Sequence, residues 1–384
     1  MFSGLFESCF EIDLSSNDQS EITQALKLSP LPSSKGTLLF ADDQNTPIQL
    51  LLCANIRRTA TARLFPEDEV ASKRADLRSI VRRIYYTRCF NDLRNTLFHY
   101  NAAKAIYPKT FGKILKLARQ TFVKIDTAAN WPIFKTTEEP ADSTQHTFCP
   151  FPTRQAANDF VGILQNAYDL CQMPSLLPHP DKAKSCPYLQ MDKCPGPCIG
   201  NISKIDYLTQ IDSAIDAAAA NLNEQIQSLH NKMLDASQKM EFESAQHIKK
   251  QIDQLKLLLK DDYKWTTDLN KFKVLHIDRS ARLKVKKRTK QQLFAAFLIR
   301  ANSITELGDF APDAFEHLPE LINSQLLPQE SSNPKDILSI ICYHLYRSSQ
   351  QGIWIDCSQN IPTAEQITDQ IIDRFQKQTD TKQA

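Results

Sequence analysis

Glycine is scarce in this chain, 8 residues in 384 against 20 prolines. Few turns that need a positive φ, and few backbone cradles for phosphate, can be built from so little. Neither a G-x-G-x-x-G string nor a Walker A string occurs, which excludes a dinucleotide fingerprint and a P-loop. No run of eighteen apolar residues exists, so no segment reads as a membrane-spanning helix. The opening MFSGLFESCFEID lacks the basic n-region of a secretory signal. Net charge is only +2, yet the charge is unevenly spread. A hydrophobic share of 42% and a charged share of 23% describe an ordinary globular chain with room for roughly two to four domains. A cytoplasmic protein with no membrane partner is expected.

Ten cysteines in such a chain argue for a metal or for free thiols rather than a disulfide scaffold. Four of them, Cys171, Cys186, Cys194 and Cys198, follow the spacing C-x14-C-x7-C-x3-C. Six of the fifteen residues from Cys186 to Gly200 are Cys or Pro, and Pro195-Gly196-Pro197 forces a turn between two thiols. Four thiolates gathered by turns suit a tetrahedral zinc or an iron–sulfur cluster. The competing reading is a set of buried free cysteines acting as small hydrophobes. Residues 153–170 carry Phe160, Ile163, Leu164, Ala167 and Leu170 at helical period, so a helix delivers Cys171.

Downstream, Leu222, Ile226, Leu229 and Met233 recur at 4-3-4 spacing, and a second stripe runs through Ala245, Ile248, Ile252, Leu255 and Leu259. Two helices folded back around the MEFE turn bury one seam and leave apolar surface for a second helix pair or for the rest of the chain. The run CPYLQMDKCPGPCIGNIS, followed by LHNKMLDASQKMEFESAQHIKKQI, resembles the cysteine-rich region and UVR motif of the UvrC-type excinuclease subunit of nucleotide excision repair. The upstream FCPFP is similar to a segment preceding those cysteines in that family. The resemblance spans roughly residues 145–260. It implies a 4Fe-4S cluster on Cys171, Cys186, Cys194 and Cys198, with zinc as the alternative. It also implies a UvrB-type helicase subunit as partner, docked on Met233, Met240, Phe242, Ala245 and Ile248, with Phe242 as the anchor.

In the amino-terminal part, TLLFA and IQLLLC read as two strands joined by the turn-rich DDQNTP. A basic helix is expected from about Asn55 into the sixties, another over about 70–83, and an amphipathic one over 91–106. This order resembles a GIY-YIG nuclease domain, but the family's functional positions are changed. The tyrosine of the GIY strand falls on Leu38, and the tyrosine and glycine of the YIG strand fall on Gln49 and Leu51. The family's arginine falls on Thr59, with Arg57 and Arg58 close enough to replace it, and the metal-binding glutamate falls on His99. Holding Mg²⁺ for phosphodiester hydrolysis needs a hard oxygen ligand, which an imidazole replaces poorly. A domain that keeps the fold and has lost cutting is therefore expected.

Arginines continue through Arg57, Arg58, Arg63, Arg78, Arg82, Arg83 and Arg88 with Tyr85 and Tyr86 among them, a pattern suited to tracking phosphates or simply a solvated face. Near the carboxy-terminal end, Arg279 to Lys290 holds seven basic residues and no acid, including Lys284, Lys286, Lys287 and Arg288. Strands are expected at 272–277, 293–299 and 352–357, and helices near 316–327, 335–348 and 363–377. In the family this region leads to an RNase H-type nuclease domain, whereas Asp278, Asp356 and Glu365 form no recognisable carboxylate triad.

The expected architecture is an α+β multidomain protein. It comprises an amino-terminal extension (1–30), a degenerate GIY-YIG-like α/β domain (31–140), a Cys-rich metal module (141–203), a UVR antiparallel helical hairpin (204–262) and a small α/β region (263–384). The function implied is DNA binding in excision repair without nuclease activity. The alternative is a metal-dependent endonuclease with a rearranged site around Arg57, Arg58 and His99.

Overall fold

The computed structural model describes residues 2, 4–12, 30–65, 77–115, 117–140, 145–184, 186–191, 193–219, 222–284, 290–324 and 334–380. In chain order the main elements begin with β1 (Ser8–Glu11), β2 (Gly36–Ala41), β3 (Pro47–Cys53), α1 (Ile56–Leu64), β4 (Arg83–Arg88) and α2 (Asp92–Ile106). They continue with β5 (Phe122–Ile125), β6 (Lys135–Thr137), β7 (His146–Cys149), α3 (Arg154–Ala167), α4 (Lys204–Ala219), α5 (Leu222–Gln238) and α6 (Phe242–Leu255). The last are β8 (Thr267–Asp268), β9 (Lys273–Lys284), β10 (Lys290–Arg300), β11 (Ser303–Phe310), α7 (Leu318–Ser324), α8 (Pro334–Tyr346), β12 (Ile353–Asp356) and α9 (Ala364–Asp380). The strands of the described residues make three four-stranded antiparallel sheets, ordered β1-β4-β2-β3, β6-β5-β7-β8 and β11-β10-β9-β12. None of the helices among the described residues is long and apolar enough to cross a membrane.

The first sheet lies between two helices, and β2 is buried along its whole length. Alternation decides which residue serves which face: Leu38 and Phe40 pack with Ile56, Ala60 and Leu64 of α1, while Leu39 and Ala41 pack with Ala102 and Ala103 of α2. At the strand's start Gly36 is required by space, since a Cβ there would come within 2.1 Å of the Thr87 carbonyl oxygen on β4. Asn55 caps α1 by accepting from the Arg58 amide (2.9 Å), and Asn91 caps α2 by accepting from the Arg94 amide (2.8 Å).

Two expectations change here. The helix expected over 70–83 falls partly outside the described residues, and what is described of it is a turn followed by β4. RIYYTR is rich in β-branched and aromatic residues, and its arginine density had masked that strand signal. The expected amino-terminal extension is not a separate piece. β1 pairs with β4 at the sheet edge, and Phe2 and Phe6 pack on Leu39, Leu50 and Tyr85.

The boundary expected at residue 140 also fails. β5 and β6 lie before it, β7 after it, and β8 arrives from beyond the hairpin, all in one sheet. Just past that boundary lies β7, whose Phe148 is fully buried. Nor does residue 263 begin an independent core. Leu93 and Tyr100 of α2, Phe122, Cys149, Phe297 of β10 and Ile341 of α8 belong to one apolar cluster. The other face of the third sheet packs separately, with Leu275, Ile277 and Leu298 against Ile322 of α7 and Ile371 of α9.

The polar seam between α2 and the carboxy-terminal part is dense. Arg94 donates to Asp309 (2.8 Å), Ser280 Oγ (3.1 Å) and Glu306. Asp92 receives Lys35 and the Arg347 guanidinium (2.8 Å), the Tyr100 hydroxyl donates to Asp336 (3.0 Å), and His344 Nε2 pairs with Thr96 Oγ1 (3.0 Å). Burial works to raise the Asp92 carboxyl, but Lys35 and Arg347 together hold it below the usual carboxylate range. Burial alone pushes His99 down to about 4 and, chiefly through the same effect, His344 to about 4 and His276 to about 3. Burial pushes Asp278 up to about 6.

These shifts set a pH dependence. An unfolded histidine titrates near 6.5, so between about pH 6.5 and 4 the unfolded chain takes up protons that the folded chain refuses on three imidazoles. Stability falls with falling pH through that window. Asp278 acts oppositely: its proton favours the fold below about pH 6, and this contribution is gone above it. The melting temperature is therefore expected to drop by several degrees from pH 6.5 to 4. Asp278→Asn is expected to raise it at pH 7 and to steepen the acid loss, and His344→Gln to flatten that loss. A melting temperature independent of pH in all three proteins would contradict the assignment.

Candidate functional site

The cysteine site is built from the end of α3 and a set of short turns. Thr153 caps α3 by accepting from the Ala156 amide (3.1 Å), and the apolar stripe Phe160, Ile163, Leu164, Ala167 is buried as its period requires. Asp169 then takes a positive φ of 50°, turning the chain so that Cys171 enters the core. Gln165 Nε2 fixes this turn by donating to the Cys171 carbonyl (3.3 Å). Cys186 opens the short helical turn Pro187–Gln190, and Cys198 sits in the turn Pro197–Ile199. Gly196, with φ +76°, makes the bend between Cys194 and Cys198, and a Cβ there would meet Leu189 at 3.0 Å.

All four expected ligands are buried. The Cys171 thiol hydrogen-bonds to Cys194, and Cys198 feels the fields of Cys194 and Cys186. Backbone amides point at the sulfurs, Met173 at Cys171, Gly196 at Cys194 and Ile199 at Cys198. The hydrogen bond from Cys171 holds Cys194 down to about 6, while the same bond and burial push Cys171 far up. Among the described residues no three His, Cys, Asp or Glu side chains stand in a closed metal-holding arrangement. The donor types present are those of a thiolate-ligated group: Cys171 and Cys194 are hydrogen-bonded, Cys198 lies within the field of Cys194 and Cys186, and amide donors face three of the sulfurs. Cys149 is not part of this set. It is fully buried beside Cys342, where burial raises both thiols.

The positions expected to correspond to nuclease residues do not all converge. Leu38 is fully buried against α1 and presents nothing to solvent. Gln49, Leu51, Arg58 and Thr59 line one cavity of about 630 Å³ along α1. There Gln49 Oε1 accepts from Arg63 Nε at 2.6 Å, and Cys53, raised by burial to about 11, receives a hydrogen bond involving Thr59. Arg57 faces away, its Nε donating to the Leu31 carbonyl (2.7 Å). His99 lines a different cavity, of about 600 Å³, between α2 and α8. Its Nδ1 is buried without a hydrogen-bond partner among the described residues.

Several expected phosphate contacts are already engaged within the fold. Arg82 donates to the carbonyls of Arg78, Val81 and Ser79, and Arg83 pairs with Glu11 (3.0 Å). Lys284 ends β9 directly opposite Lys290 on β10, whereas Lys286, Lys287 and Arg288 lie outside the described residues. The hairpin is α5 and α6 joined through Met240 at φ +63°. Met233, Ala245 and Ile248 are half-buried, while Met240 and Phe242 at the tip are 77% and 66% exposed. α6 also rests along α3, so one side of the hairpin is used within the chain.

The sequence reading missed the α2–α8 contact and its cavity. A signal was present: α8 buries Ile337, Leu338, Ser339, Ile340, Ile341, Cys342, His344 and Leu345, which together go almost all round the helix. A helix apolar on every side must lie between two layers.

Residues 121–217 match the family model described as the UvrC/Cho excinuclease middle domain, a stretch that begins at β5 and ends in α4. The UvrABC system protein C of Leptospira biflexa is 26% identical over 155 residues, covering 40% of this chain and 25% of that protein. That of Carboxydothermus hydrogenoformans is 23% identical over 234 residues, 61% of this chain and 38% of its own length. The Neisseria gonorrhoeae protein of that name is 23% identical over 240 residues, 62% and 38%. The chain thus spans about a quarter to two-fifths of the curated relatives it matches. No solved structure matches it. The chain is similar to UvrC-type proteins, and its residues 121–217 are similar to the UvrC/Cho excinuclease middle domain.

Proposed function

We propose that the protein binds DNA in nucleotide excision repair and docks on a UvrB-type helicase subunit without cutting the strand itself. The observation that carries the non-cutting part is the fate of α2. His99, standing where the resembling nucleases hold a metal with a carboxylate, is neutral and lies beneath α8, in a different cavity from Gln49 and Thr59. A hard divalent ion at this point would meet a neutral imidazole and, among the lining residues, no carboxylate. The first sheet with α1 and α2 is read as a GIY-YIG-like domain retained as a scaffold. DNA contact is assigned to Arg58 in the α1 cavity and to the Lys284–Lys290 end of the β9–β10 ribbon, where opposed like charges favour an anionic partner.

Docking is assigned to the tip of the α5–α6 hairpin, the motif that resembles UVR, because two large apolar side chains stand in water there and the inner seam is already filled. The cysteine site is assigned a 4Fe-4S cluster held by Cys171, Cys186, Cys194 and Cys198. When bound, such a group supplies a four-point crosslink and a redox-responsive charge. The chain's own part is to exclude water and to direct the amides of Met173, Gly196 and Ile199 at the sulfurs.

Three outcomes test this. With the partner helicase, a damaged duplex and Mg²⁺, strand scission is expected to stay at background in the native protein and in its Arg57→Ala and His99→Ala variants. Metal-dependent nicking abolished by either change would establish an endonuclease instead. Phe242→Ala is expected to weaken binding to the helicase subunit by about 30-fold, the scale of a central aromatic anchor, with an unchanged melting temperature. Equal affinity would remove the hairpin tip from the interface. Anaerobically purified protein is expected to carry about four irons and four sulfides per chain, lost in Cys194→Ser. Stoichiometric zinc would replace the cluster with a structural zinc.

A further inference from the structure

The projecting end of the β9–β10 ribbon has features that a phosphate contact alone does not use. β12 pairs with β9 only as far as Ile277, and β11 pairs with β10 only from Phe294 onwards. Beyond those points the two strands have only each other, through the pairs Arg282–Gln292, Leu283–Gln291 and Lys284–Lys290. An isolated pair of strands is marginal in water, and two lysines directly opposite each other weaken it further. Arg282, Lys284 and Lys290 are exposed, and none forms an ion pair with a described residue. The carboxylates of the adjoining β11, Glu306 and Asp309, are taken up by Arg94. The projecting part is therefore complementary to a polyanion.

Alternation gives the ribbon two unlike faces. Arg282, Lys284, Lys290 and Gln292 share one, where Gln292 Nε2 donates to the Ser280 carbonyl (2.8 Å) and its Oε1 accepts from Arg282 Nε (3.2 Å). Leu283 and Gln291 stand opposite each other on the other face. Leu283 is 54% exposed, and the Gln291 amide bonds to no described residue. An apolar branch and an unused amide thus lie side by side, with cations on the neighbouring positions of both strands.

Groove geometry selects among polyanions. Paired strands lie about 4.8 Å apart, and the major groove of B-form DNA, about 12 Å wide, admits such a ribbon. The minor groove, about 6 Å wide, does not admit it without deformation. The major groove of duplex RNA is deep and too narrow for side chains to read. On the floor of the DNA major groove an adenine offers N7 as acceptor and N6 as donor, which one glutamine amide meets together. The paired thymine offers a methyl group, which a leucine covers. A G·C pair presents two acceptors and an amino group instead, and satisfies neither side chain fully. We propose, resting on the DNA contact assigned to this ribbon above, that it enters the major groove of B-form DNA and favours A·T pairs. Gln291 meets adenine N7 and N6, Leu283 lies against the thymine methyl, and the long arms of Arg282, Lys284 and Lys290 turn to the phosphates of the groove walls.

The test uses the full chain and fluorescein-labelled duplexes of one length, read by anisotropy. An A·T duplex is expected to bind about tenfold tighter than a G·C duplex. Inosine keeps the major-groove pattern of guanine and lacks its minor-groove amino group, so an inosine·cytosine duplex is expected to bind like G·C. Deoxyuridine in place of thymidine is expected to cost about fourfold, the worth of one covered methyl group, and Leu283→Ala to abolish that difference. Replacing adenine by 7-deazaadenine is expected to weaken the native chain and not Gln291→Ala. Lys284→Ala is expected to weaken every duplex alike and to reduce the salt dependence. The base changes are made on the DNA, so they read the native protein whether or not a variant folds. Equal affinity for A·T and G·C duplexes, with Lys284→Ala still weakening both, leaves the DNA contact standing and overturns the groove assignment. Inosine·cytosine bound like A·T, or duplex RNA bound as tightly as DNA, overturns it as well. Unchanged binding in both Lys284→Ala and Lys290→Ala removes the contact itself, and the groove assignment with it.

Discussion

The packing of α2 on two layers at once is the constraint on which the rest of the structure depends. One face of the helix closes the first sheet through Ala102 and Ala103, and the other enters the carboxy-terminal core through Leu93 and Tyr100. The contact is fixed by charge as well as by apolar burial. Arg94 is half-buried among Glu306, Asp309 and Ser280, where its paired carboxylates offset the cost of leaving water. Asp92 performs the converse task between Lys35 and Arg347. Removing one partner from such a network leaves a charge uncompensated, so the two ends of the chain are held as a unit rather than as beads on a string.

This arrangement links the fold to the reading of its function. A helix that must present a metal ligand to DNA cannot also lie under a second helix. In this chain α2 lies under α8, and the proposed loss of cutting rests on that placement and on the residue types: a neutral imidazole at 99, an aliphatic at 38, and an amide and a hydroxyl at 49 and 59. The groups to which the proposal assigns partner contact are at the periphery, namely the hairpin tip and the basic end of the β9–β10 ribbon. The middle of the chain contributes a sulfur-lined core in which backbone amides are aimed at three of the sulfurs.

Much of this was legible in the residues. The strands TLLFA and IQLLLC, the capped helix after Asn91, the stripe ending at Cys171 and the two hairpin helices all announce themselves by period and cap. Local signals carry such elements because their chemistry is decided within a few residues. What was not legible was long-range. Nothing local tells that HTFC pairs with FVKI and then with a two-residue strand more than a hundred positions later, or that Ser8–Glu11 closes the first sheet. Register across such separations is decided by whole-core burial, which a window of sequence does not contain. The arginines show the same limit: Arg83 and Arg88 read as free cations until their carboxylate partners, Glu11 and Glu7, arrive from elsewhere in the chain.

The claim that α2 and α8 form one cooperative unit is tested most directly by amide hydrogen exchange on the intact protein, followed residue by residue. Amides of Thr96–Tyr100 and of Ile337–Leu345 are expected to exchange with a common opening free energy, and Arg94→Ala is expected to lower both together. Exchange of α8 at its own faster rate while α2 stays protected, unaffected by Arg94→Ala, would contradict it.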